Sequence, residues 1–85
     1  MPTILFMLGW RLFFYANERT EPPHIHCKKA DCEYKYWIDI ENYEIIEAYA
    51  YSLSPKERRE IKKIIYQHLE YIVAEWNKFQ EGEHE

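Results

Sequence analysis

Hydrophobic and polar positions change their period along this chain. Over residues 1–40 they alternate. Ile4, Phe6 and Leu8 share one side of a first strand (residues 1–8), and Thr3, Leu5 and Met7 share the other. Gly9-Trp10 supplies a tight turn, because glycine tolerates positive φ. An aromatic second strand follows over 11–16, then a polar, proline-bearing loop over 17–23. Residues 24–29 form a third strand, and Lys29-Ala30-Asp31 turns the chain. In a fourth strand (32–40), Tyr34, Tyr36, Ile38 and Ile40 oppose Glu33, Lys35, Trp37 and Asp39. Glu41-Asn42 is a turn signal. Residues 45–51 are a short fifth strand or an extended crossing segment. After Ser54-Pro55-Lys56-Glu57, which matches a helix capping box, the period becomes helical: Ile61, Ile64, Ile65, His68, Leu69, Ile72, Trp76 and Phe79 recur on one face.

The pattern predicts one α+β domain over 1–80, with a frayed acidic tail at 81–85. Its mostly antiparallel sheet has four to five strands, and one long C-terminal amphipathic helix covers one face. The 85 residues allow no second domain. With 47% hydrophobic and 18% aromatic residues the chain can fill a core. Two glycines and four prolines do not suit a disordered polymer. The net charge of −4 argues against non-specific nucleic-acid binding. The opening apolar run is too short to span a membrane and lacks the basic start and cleavage site of a secretory leader. A cytoplasmic location with reduced Cys27 and Cys32 is the expectation.

Pro22-Pro23-His24-Ile25-His26 is the densest chemical signal. Histidines two apart on a strand point to the same face. Such a pair can bind a transition metal, act as general acid and base, or serve as hydrogen-bonded structural residues. Glu18, Glu21 and Asp31 are the nearest carboxylates, and His68 is a third imidazole; no spacing fixes a third ligand. Cys27 follows His26 directly and points to the opposite face, which argues against zinc held by both histidines and the cysteines.

Arg58, Arg59, Lys62 and Lys63 form a basic stripe near the helix N-terminus, where the macrodipole and their one-turn spacing both disfavour cations. A surface for RNA, DNA or an acidic protein would explain it. A solvated face with Glu57 and Glu60 as neighbours is the alternative. Both sides of the aromatic second strand are apolar, and one helix covers only one face. The other face is expected to meet a second copy or a partner.

Four stretches together resemble a family. They are Met1-Pro2-Thr3-Ile4, Phe13-Phe14-Tyr15-Ala16-Asn17-Glu18, Pro22-Pro23-His24-Ile25-His26 and Ser54-Pro55. Their order is similar to that in the small prokaryotic proteins filed as domain of unknown function 4160. The resemblance implies a member of a toxin–antitoxin-like gene pair, encoded beside a second small protein; with the uncovered sheet face, this suggests binding to that partner or self-association. It also implies that Asn17, Glu18, His24 and His26 lie together. Two classes of function follow: an interaction module using the sheet face and the basic stripe, or a small hydrolase acting on RNA. In the hydrolase, His24 and His26 are acid and base, Glu18 or Asn17 orients an imidazole, and Arg59 or Lys63 holds phosphate. The aromatic stretch 43–51 and Cys27 depart from the family pattern.

Overall fold

A computed structural model of the chain describes residues 3–15, 20–51 and 54–82. Five strands, β1 (Thr3–Met7), β2 (Trp10–Phe13), β3 (His24–Lys29), β4 (Cys32–Asp39) and β5 (Glu44–Ala50), precede two helices, α1 (Pro55–Gln67) and α2 (Leu69–Gly82). The sheet is an antiparallel meander in the order β1-β2-β3-β4-β5, so each strand pairs with its neighbours in sequence. The expected α+β class and the fifth strand are both present.

The hairpins show why the register is unambiguous. Leu8 and Gly9 carry φ of 53° and 87°, the two positive values that a type I′ connection requires. A Cβ on Gly9 would lie 3.2 Å from Lys29 Cε, so glycine is favoured there by space as well as by backbone. Ala30 (φ 52°) turns β3 into β4, pairing Lys29 with Cys32 and His26 with Lys35. In β1 the register slips between Thr3 and Leu5. This bulge at Ile4 lets Ile4, Leu5 and Met7 all pack on the core while Phe6 turns outward.

One sheet face presents Trp10, Leu12, Ile25, Cys27, Tyr34, Tyr36 and Ile38 to Ile61, Ile64, Ile65, Leu69, Ile72 and Trp76. These are the alternating and helical stripes of the sequence brought into one core. The buried Trp10 Nε1–H donates to Glu60 Oε1 at 2.8 Å, tying β2 to α1. Lys29 Nζ reaches the same oxygen at 3.0 Å and Glu57 Oε2 at 3.3 Å.

The helical segment corrects the sequence-based expectation, because the single long helix is two. His68 leaves helical geometry (φ −119°, ψ 20°). Its N–H is shared between the carbonyls of Ile64 and Ile65, both at 3.2 Å, and its Nδ1–H donates to the Ile64 carbonyl at 3.0 Å. The side chain thus competes for the backbone acceptor that a continuous helix would use alone, and it interrupts the ladder. Helical bonding resumes from Ile72 N–H to the His68 carbonyl at 2.9 Å. At the start of α1, Ser54 is the N-cap and its Oγ accepts from Glu57 N–H at 3.3 Å, as expected. At the other end α2 runs to Gly82, two residues into the segment expected to fray.

Candidate functional site

β3 is the central strand and carries the histidines. Alternation sends Ile25 and Cys27 into the helix-side core and His24 and His26 to the opposite face. Around the histidines that face is also closed, whereas Ile46 further along it is exposed. His24 is 0% and His26 1% exposed, and Phe13 beside them is equally buried. Residues 20–23 strap the approach. Pro23 lends its carbonyl to Ile38 N–H at 2.9 Å, and Glu21 Oε1 meets Lys35 Nζ at 2.9 Å.

The histidines sit in an aromatic box. The two rings stand edge to face, 5.1 Å apart. His24 also lies 5.6 Å from Trp37 and 5.1 Å from Trp76. His26 lies 4.5 Å from Tyr15 and 5.6 Å from Phe13, stacked on the latter. Lys35 Nζ is 4.4 Å from the centre of the Trp37 ring, so both a carboxylate and an aromatic face hold this largely buried ammonium.

Hydrogen bonds define the tautomers. A carbonyl only accepts, so His24 carries its proton on Nδ1 and donates to Pro22 O at 2.9 Å. His26 Nδ1 is 3.3 Å from the Tyr49 hydroxyl, which is 3.4 Å from Glu33 Oε2. An ionised carboxylate is acceptor-only. Tyr49 therefore donates to Glu33 and accepts from the His26 Nδ1–H. Burial, and then the negative charge of Glu33, push the Tyr49 hydroxyl well above the ordinary tyrosine range.

The structure thus brings His24 and His26 together, on the predicted face. The surrounding Lys35, Tyr49, Glu33 and Trp76 were not among the candidates. Register offered a signal for the first, since a two-residue turn at Ala30-Asp31 places Lys35 opposite His26. Asn17 and Glu18 lie outside the described residues. His68 is spent on the helix interruption. Among the described residues no three His, Cys, Asp or Glu side chains gather as a metal site needs. Cys27 is buried on the helix side, where desolvation raises its thiol pKa well above the ordinary value. Cys32 Sγ points to Glu57 Oε1 at 3.8 Å. Both cysteines are free thiols.

The basic stripe divides. Arg58 Nε lies 3.0 Å from Glu47 Oε1 of β5, an ion pair whose N–H is not aligned on the oxygen. Glu47 also accepts from the Tyr36 hydroxyl at 3.3 Å. Arg59 and Lys63 instead join Lys56 in a groove of about 430 Å³ that includes Met7, Leu8 and Ile64. Lys62 is exposed. Among the described residues no ion pair forms with Lys56, Arg59, Lys62 or Lys63.

A five-stranded meander backed by two helices, with a strapped histidine strand at its centre, defines a small α+β domain. The family model described as Domain of unknown function (DUF4160) matches residues 9–77, and the chain belongs to that family. Neither the curated proteins nor the solved structures contain a match. Among the described residues no helix is long and apolar enough to cross a membrane.

Proposed function

We propose that this domain is a cytoplasmic interaction module, one half of a toxin–antitoxin-like pair, acting by binding a small partner protein or a second copy of itself. One contrast carries the reading. The polar atoms of the histidine motif are turned inward, His24 onto the Pro22 carbonyl and His26 onto Tyr49. Meanwhile apolar Phe6 and Leu8 and the cations Arg59 and Lys63 are exposed. Side chains buried this deeply serve the fold first, whereas adjoining exposed apolar and cationic groups suit contact with another molecule. Co-expression with the protein encoded beside it, followed by size-exclusion chromatography, should yield a co-eluting complex. Separate elution, together with a monomeric domain in isolation, overturns the proposal.

A hydrolase acting on RNA is the second reading, favoured by the bond chain from His26 through Tyr49 to Glu33, which orients an imidazole as an acid–base catalyst requires. Substrate would reach His24 and His26 only after displacing the strap. Asn17 or Glu18 would assist, a transition metal on the two histidines is the metal-assisted form, and the cations Arg58, Arg59, Lys62 and Lys63 would supply the RNA or DNA contact. A His24→Ala/His26→Ala variant that stays folded and keeps full activity or toxicity eliminates it.

A further inference from the structure

β1 and β5 are the two edges of the sheet, and they differ. Edge strands expose unpaired N–H and C=O groups, and proteins commonly guard them with charge. β5 carries Glu44 and Glu47. β1 reads Thr-Ile-Leu-Phe-Met, without a charged residue. Among the described residues nothing pairs with its outer side. Phe6 on this strand is 70% exposed and Leu8 just beyond it 65%.

The helix side of the same edge is recessed at both ends. One recess is the groove holding Met7, Leu8, Lys56, Arg59 and Lys63. The other, about 220 Å³, is lined by Ile4, Phe14, Glu75, Lys78 and Phe79. Glu60 borders the first recess, but its carboxylate is already taken by Trp10 and Lys29. Lys56 is close enough to act on Glu60 electrostatically, and all three cations are exposed.

We propose that β1 is a strand-addition site for an extended acidic segment of a different protein, which becomes a sixth strand. This rests on the interaction reading and specifies its occupant. A strand added about 4.8 Å outside β1 would send alternate side chains over the helix-side recesses. At the Met7 end those side chains meet Lys56, Arg59 and Lys63, so carboxylates fit there. The other alternate side chains lie beside Phe6, so apolar residues fit there. A second copy pairing through its own β1 would bring uncharged residues to the cations and leave them uncompensated. Charge complementarity therefore favours a foreign acidic strand over the pairing of two copies through β1.

The test uses the whole chain and a fluorescent seven-residue peptide alternating Val and Glu. Polarisation should report binding that weakens with added salt. The same peptide alternating Val and Lys, and a Val/Glu peptide with alternate amide nitrogens methylated, should each bind at least about tenfold more weakly. An Arg59→Glu/Lys63→Glu variant should lose a similar factor, and hydrogen exchange should slow in Thr3–Met7 when the acidic peptide is bound. Absence of binding, equal binding of the Lys or methylated peptide, or a dimer abolished by Phe6→Lys each overturns the proposal. The same variants in the co-expression experiment separate the two claims. A complex that forms with the wild type and survives Phe6→Lys with Arg59→Glu/Lys63→Glu leaves the interaction module standing and removes the β1 site. A wild type that never forms a complex and is a monomer in isolation removes the module itself.

Discussion

Trp76 joins the helical layer to the histidine box, and its removal should be felt on both sides of the sheet. The indole is buried, with its ring centre 5.1 Å from Phe14, 5.6 Å from Phe79 and 5.1 Å from His24. Truncating a buried tryptophan to alanine costs about 3–5 kcal/mol in transfer and cavity terms. A chain of 85 residues has a total stability of roughly 4–13 kcal/mol at about 0.05–0.15 kcal/mol per residue. Trp76→Ala therefore takes a large share of the whole. Trp76→Phe gives up about 50 Å² of ring surface and should cost about 1–2 kcal/mol. Equilibrium urea unfolding followed by far-ultraviolet circular dichroism measures both. A cycle with Phe14→Leu should return a coupling of about 0.5–1.5 kcal/mol for the edge-to-face pair. Deuterium exchange at the imidazole C2 position supplies a local readout. It should accelerate at His24 in Trp76→Ala, under conditions where the variant is still folded, and stay unchanged at His68. A loss below about 1 kcal/mol for Trp76→Ala, or unaltered exchange at His24, would refute the role given to this residue.

Three further outcomes follow from particular contacts. Glu21→Gln, which removes the countercharge of the Lys35 ammonium, should destabilise the fold by about 1–2 kcal/mol and by more than Lys35→Met, which removes the buried charge itself; urea midpoints decide the order. The Tyr34 hydroxyl is buried without a partner among the described residues, so Tyr34→Phe should raise stability by about 1 kcal/mol in thermal unfolding. Burial, then the Glu47 charge, raises the Tyr36 pKa above the ordinary value of about 10, as burial and Glu33 raise that of Tyr49. Above pH 10 the unfolded chain releases protons that the folded chain retains. The stabilisation is therefore complete below pH 10 and lost as pH rises through the folded values, and Tyr36→Phe should flatten that decline in a stability-against-pH series.

The parts of the fold legible in the sequence are those whose period is enforced by burial. Tyr34, Tyr36 and Ile38 had to share a face because a one-residue slip would turn all three to solvent. The Ser54-Pro55 helix start was readable because both residues act locally. The interruption at His68 was not, because a histidine in the apolar stripe gives no sign that its ring will take the Ile64 carbonyl. Same-face geometry for His24 and His26 followed from alternation alone. What encloses them did not, because Trp76 arrives from a helix some fifty residues later and Glu21 acts through a loop. Likewise the basic stripe reads as one surface in sequence, and only the position of β5 separates Arg58 from Arg59 and Lys63.

The strictly sequential pairing of the strands has a consequence for synthesis. Each hairpin closes on its immediate predecessor, so the sheet can assemble progressively as the chain leaves the ribosome. The helices that cover Trp10, Leu12, Ile25 and Tyr36 come after all five strands. A nascent sheet thus waits, with one greasy face bare and its uncharged first strand already displayed, until the segment beginning at Pro55 emerges. A partner translated nearby would meet that first strand before the domain is complete, and slow translation between β5 and α1 would lengthen the encounter.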